Sequence, residues 1–275
     1  MALHVESIGS GAPLLLIHGW GMHGGVWEEV AQELATDFRV HSVDLPGYGR
    51  SARGDLPPQE KMAIVPSPSG GGLGRGMDSL NAIVELLATQ FGEPLTVCGW
   101  SLGGQIALRW AAREPDKVRR LILVASTPCF ARRPDWTCGM ERDVLKQFAG
   151  DLEQKHAATL RRFIALQLRG SENERELLAR LRERLFSRGE PDMASLRAGL
   201  DILRDADLRG ELQHIRQPAM IMTGERDKLT PPEASRYMAR TMPSARLVEI
   251  AGAAHAPFLS HPETFVEQIK SFLHE

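Results

Sequence analysis

Short, mainly apolar runs bounded by turn-forming residues recur along the chain, at Leu14–Ile17, Val40–Val43, Leu95–Cys98 and Leu121–Ala125. Runs of this length without polar alternation fit strands buried on both faces. Between them apolar positions follow helical spacing over Val26–Ala35, Ser79–Gln90 and Gly103–Glu114. Strands that alternate with helices need crossover connections, so the pattern predicts an α/β fold with a mostly parallel central sheet flanked by helices. Two later runs, Ala219–Thr223 and Arg246–Ile250, add strands, and Pro262–Leu273 predicts a closing helix.

The stretch 131–209 breaks this alternation. It offers no strand but several amphipathic segments, among them Val144–Phe148, Ala157–Leu168 and Glu174–Phe186. The expected organisation is a core of 1–130 and 210–275 interrupted by a helical lid, 131–209. That lid holds fourteen of the 27 arginines, with Lys146 and Lys155, against fourteen acidic residues. Its net charge of +2 sits against −4 on the rest, which the solvated faces of surface helices explain equally well.

A second irregular stretch is Pro66-Ser67-Pro68-Ser69-Gly70-Gly71-Gly72-Leu73-Gly74-Arg75-Gly76. Its composition predicts a mobile surface loop. It lacks the Gly-Lys-Ser/Thr ending and the preceding strand of a phosphate-binding loop.

Composition narrows the class. At 275 residues the chain is long enough to bury a core without disulfide or metal staples. Its net charge of −2 gives no global attraction to nucleic acid or an anionic membrane. Cys98, Cys129 and Cys138 cannot all pair, and no apolar run is long enough to span a bilayer. A reduced, cytoplasmic, monomeric enzyme is expected.

The chemistry centres on Gly99-Trp100-Ser101-Leu102-Gly103, between a strand and a helix. In a G-x-S-x-G elbow the glycines allow a turn so tight that the serine hydroxyl stands clear of the sheet. The helix behind Ser101 directs free N–H groups toward developing negative charge. A serine hydroxyl needs an adjacent base at neutral pH. Of nine histidines, His255 is the candidate, because the loop Ala251–Ala254 places it just after the last strand. His261 looks like a helix-entry residue, and His4, His41, His156, His214 and His274 fall in strand, surface or terminal contexts. Asp227, after the strand Ala219–Thr223, is the orienting acid by chain order, with Glu225 the nearest alternative. The oxyanion donors expected are the N–H groups of Leu102 and of Trp20 in His18-Gly19-Trp20-Gly21, while His18 itself reads as a structural hydrogen-bonding residue. The catalytic set is thus Ser101, Asp227 and His255, with no metal and no cofactor.

At these residues the chain resembles the α/β-hydrolase superfamily along nearly its whole length. His18–Gly21, Asp44-Leu45-Pro46-Gly47-Tyr48-Gly49-Arg50-Ser51 and Gly99–Gly104 carry the resemblance. More narrowly, Val124–Phe130, His255-Ala256-Pro257-Phe258-Leu259-Ser260-His261-Pro262 and the segment Arg162–Gln167 are similar to the pimeloyl-[acyl-carrier protein] methyl ester esterases of biotin synthesis. That resemblance implies removal of a methyl ester from a pimeloyl chain on an acyl-carrier protein. It also implies an acyl pocket lined by Trp20, Ser101, Leu102, Phe163, Gln167 and His255, and basic docking residues Arg162 and Arg175. The Gly/Pro/Ser-rich stretch around residues 60–77 is longer than the resemblance leads one to expect. The residues alone leave open a carboxylesterase or C–C bond hydrolase for small free substrates, and a non-catalytic ligand receptor on the same fold.

Overall fold

The computed structural model describes residues 3–51, 74–185 and 187–275. A seven-stranded sheet runs in the order β1-β3-β2-β4-β5-β6-β7. The strands are β1 (Val5–Ile8), β2 (Ala12–Ile17), β3 (Phe38–Val43), β4 (Leu95–Trp100), β5 (Val118–Val124), β6 (Ala219–Gly224) and β7 (Ala245–Ile250). Only β1 is antiparallel, paired with β3; every other pairing is parallel. β4 and β6 are buried at every position, in keeping with a composition that is apolar but for Thr96 and Thr223. The half-exposed edge strand β1 has no such run, and its sequence carries no signal of a strand.

The flanking helices are α1 (Glu28–Leu34), α2 (Gly74–Gln90) and α3 (Leu102–Arg113), followed after the insertion by α7 (Pro232–Thr241) and α8 (Pro262–His274). Between β5 and β6 lie α4 (Arg142–Leu168), α5 (Glu174–Leu185) and α6 (Met193–Asp205), a helical lid insertion. The insertion is closed at its base where Cys129 bridges Asp207 and the Leu208 N–H donates to Pro128 O at 2.8 Å. The two segments expected at Val144–Phe148 and Ala157–Leu168 fall in the single run α4, which breaks at Lys155 (φ −143°, ψ 51°).

One expectation needs correction. Gly74, Arg75 and Gly76 do not continue a loop but open α2, five residues ahead of the expected start at Ser79. The cause is tertiary packing, which overrides weak propensity. A side chain at Gly76 would collide with the carbonyl of Asp201 in α6, so the glycine lets the two helices touch. The remainder of the irregular stretch, residues 52–73, lies outside the described residues, as does Phe186.

Candidate active site

Because β4 through β7 are parallel, the residues that follow β4, β6 and β7 emerge at the same edge of the sheet. Ser101 follows β4, Asp227 follows β6 and His255 follows β7. Ser101 has φ 56° and ψ −115°, a backbone conformation that costs a side-chain-bearing residue about 1–3 kcal/mol. Its N–H donates to Val124 O at 2.9 Å, and its carbonyl accepts the Ser126 hydroxyl at 2.8 Å and the Gly104 N–H at 2.9 Å. Gly99 and Gly103 make the turn possible by absence. A Cβ on Gly99 would strike the Gly103 carbonyl, and one on Gly103 would sit 2.8 Å from His18 O.

Asp227 and His255 are brought together. His255 Nδ1 donates to Asp227 Oδ2 at 2.8 Å, and the Thr230 hydroxyl donates to the same oxygen at 2.7 Å. Oδ1 accepts the N–H groups of Leu229 at 2.8 Å and Thr230 at 3.0 Å. With its proton committed to Nδ1, the imidazole keeps its lone pair on Nε2, as a general base must. Thr230 was not among the residues expected at the site, and its signal is the Asp227-x-x-Thr spacing that lets a hydroxyl reach back. Glu225, the alternative acid, is exposed and accepts the Gly252 N–H at 3.1 Å.

The main chain of His255 is held on both sides. Its N–H donates to the carbonyl of Gln167 in α4 at 3.0 Å. Its own carbonyl accepts the indole N–H of Trp100 at 2.8 Å. Trp100 precedes Ser101, so His255 hangs from the residue next to the serine. Phe258, from His-Ala-Pro-Phe, packs edge-on against Trp100 with centroids 4.9 Å apart and tilted against Trp27 at 4.3 Å. Such pairs are worth about 0.5–1.5 kcal/mol beyond burial and fix the loop that carries the histidine.

The His18–Gly21 loop passes directly beside the elbow. A Cβ on Gly19 would lie 3.3 Å from Ser101 Cβ. The Leu102 N–H opens α3, where a helix has no intrahelical acceptor for it. His18 is wholly buried; the Leu45 N–H donates to its Nε2 at 3.0 Å, and its Nδ1 donates to Gly19 O at 2.8 Å. Burial lowers its pKa from 6.5 to about 4, against the raising effect of the Gly19 bond. A ring with both nitrogens engaged by the backbone is a scaffold, as the sequence suggested.

This depressed pKa links stability to pH. The unfolded chain takes up a proton near 6.5 and the folded one near 4, so stability is full above 6.5 and falls as pH drops toward 4. The loss attributable to His18 is on the order of 3 kcal/mol. Denaturant unfolding at pH 7 and pH 4.5 should show it, and His18→Asn should shrink the difference. An equal fall in the variant would assign it to other groups.

The expected acyl-pocket residues cluster in part. Phe163 is half-buried and packs edge-on against Trp20 at 5.0 Å, and Phe148, unforeseen, joins them at 5.5 Å from Trp20. Gln167 is buried and its Oε1 has no partner among the described residues. Leu102 is buried at the start of α3. Arg162 and Arg175 are both exposed; Arg162 pairs with Asp151 at 2.6 Å.

A sheet of this order, a serine on a strained strand-to-helix turn, and a buried Asp–His pair at the same edge define a class of hydrolase. The family model for the α/β hydrolase fold matches residues 12–262, and the chain belongs to that family. Within it, similarity runs the full length to proteins named pimeloyl-[acyl-carrier protein] methyl ester esterase. The one from Nitrosomonas europaea is 43% identical over 96% of this chain and 97% of its own. That from Chromobacterium violaceum is 42% identical over 99% and 98%. Among solved structures, an esterase from Exiguobacterium antarcticum superposes with a TM-score of 0.82 at 25% identity, covering 99% of this chain and 96% of that one. A hydrolase from Oleispira antarctica, at 21% identity and TM-score 0.83 over 98% and 94%, shares the fold.

Proposed function

We propose that the chain is a serine esterase that hydrolyses the methyl ester of a pimeloyl group carried on an acyl-carrier protein, in biotin synthesis. The observation that carries this reading is full-length likeness at 40% identity and above to relatives named for that activity. The site geometry supplies the chemistry. Ser101 attacks the ester carbonyl while His255 Nε2 takes its proton, and Asp227 holds the resulting imidazolium. The N–H groups of Trp20 and Leu102 hold the oxyanion. Collapse expels methoxide, which leaves as methanol with the proton from His255. Water then cleaves the acyl-enzyme by the same route, returning the proton to Ser101. All of these groups belong to the chain.

The helices of 131–209 act as the lid in this reading, with Phe163 and Gln167 toward the acyl chain. Arg162 and Arg175 meet the acidic carrier, and the enzyme works as a cytoplasmic monomer. Among the described residues no helix is long and apolar enough to cross a membrane. The test compares kcat/KM on the carrier-bound methyl ester with that on the free ester. The double variant Arg162→Glu, Arg175→Glu should lose about tenfold on the carrier-bound ester, less at high salt, and nothing on the free one. Preference for free short esters, indifferent to charge reversal, points instead to a general carboxylesterase. In cells, wild type should rescue biotin auxotrophy in a strain lacking the methyl esterase.

A further inference from the structure

We infer that Tyr48 is a positioning residue for this reaction: its hydroxyl ties the oxyanion loop to lid helix α6, so the seat of the lid sets the aim of the Trp20 N–H. The inference rests on the esterase reading above, in which that N–H holds the oxyanion. Tyr48 is buried, and its hydroxyl donates to the carbonyl of Ser195 in α6 at 3.1 Å. Its ring packs edge-on against His18, in the oxyanion loop, with centroids 5.3 Å apart. A phenol has one proton, so the bond to the carbonyl runs in this sense only. Burial raises its pKa, which keeps the proton in place.

The consequence follows from the planarity of peptides. The Trp20 N–H shares a rigid plane with the Gly19 carbonyl, which accepts His18 Nδ1 at 2.8 Å and the Met22 N–H at 3.3 Å. Tyr48 packs against the His18 ring that makes the first of these bonds. The plane that carries the Trp20 N–H is therefore held by a ring against which a group bonded to the lid is packed. The Trp20 indole adds a second tie, donating to Leu196 O in α6 at 2.9 Å. Gly199 completes the contact. A Cβ there would lie 2.6 Å from Trp20 Cδ1 and 3.1 Å from the Tyr48 hydroxyl. Two consecutive carbonyls and one glycine of α6 thus seat Tyr48 and Trp20 side by side.

The test uses Tyr48→Phe in the full chain, assayed with p-nitrophenyl butyrate. Active sites are counted by saturating fluorophosphonate labelling, and butylboronic acid serves as the tetrahedral probe. Loss of the hydroxyl should lower kcat per labelled site about tenfold, with KM within about twofold. It should weaken boronic acid binding by a similar factor, because the adduct uses the same donors. Gly199→Ala, which pushes the indole, should move the same two quantities. A merely structural role would lower Tm or the labelled fraction and leave kcat per labelled site intact. That result, or an effect confined to KM, overturns the inference. A wild-type protein that fails to label at Ser101 overturns the esterase reading instead, and this inference with it.

Discussion

Ser101→Ala should lose activity by on the order of 10^5 or more while unfolding at nearly the wild-type temperature. Alanine removes the nucleophile but keeps the Cβ, so the elbow's backbone strain stays. Ser101→Gly removes both. Glycine tolerates φ 56° and ψ −115° without the steric cost, against an entropic penalty of about 0.5–1 kcal/mol. The net expectation is a dead protein about 1 kcal/mol more stable than wild type, or roughly 3 °C in Tm. Calorimetry on the three proteins, with an esterase assay, separates chemistry from strain. Wild-type turnover in either variant would remove Ser101 from the mechanism. A glycine variant no more stable than the alanine one would show that the turn stores no strain.

Asp227→Asn should cost about 10^4 in kcat/KM near neutral pH, through the tautomer of His255. The carboxylate accepts four donors, and an amide can accept only on one side. If the amide oxygen keeps the Leu229 and Thr230 N–H groups, its NH2 faces His255 Nδ1. The imidazole must then accept there and carry its proton on Nε2, where it cannot take one from serine. Glu225→Gln, which disturbs only a surface contact to the Gly252 N–H, should stay within about twofold. Steady-state kinetics on the pair decide between the two acids. The reverse ranking would transfer the orienting role to Glu225.

The parts of this site that were legible in the sequence are those whose geometry is local. Gly99, Ser101 and Gly103 announce the elbow because a turn that tight admits few residues at fixed offsets. The buried strands β2, β4 and β6 were legible for a similar reason, since a strand covered on both faces has few polar positions to spare. What stayed hidden depends on distant partners. Helix α6 contains Gly199, which reads as a helix breaker until Trp20 and Tyr48 are seen against it. Helix α7 opens on Pro232, where proline's missing N–H costs nothing at a first turn, yet the Pro231-Pro232 pair reads as a stop. The bond from Tyr48 to Ser195 joins residues 147 apart, a distance no local pattern spans. The Asp227–His255 pairing was legible only as an order along the chain, and Thr230 beside it only as a three-residue spacing that many surface threonines share.

Four of the anchors that seat the lid share one property. Trp20 Nε1, Tyr48 Oη, His23 Nε2 and the His255 N–H all donate from the core, and the acceptors are the carbonyls of Leu196, Ser195, Arg184 and Gln167. A carbonyl is present whatever side chain stands at its position. These four bonds therefore survive substitution of the lid residues that accept them. Side chains of the lid add to this grip where Arg180 meets Glu29 and Arg188 meets Glu6 and Asp44, and Gly199 has no room for a Cβ. An arrangement of that kind lets substrate preference drift by mutation while the catalytic geometry is inherited unchanged.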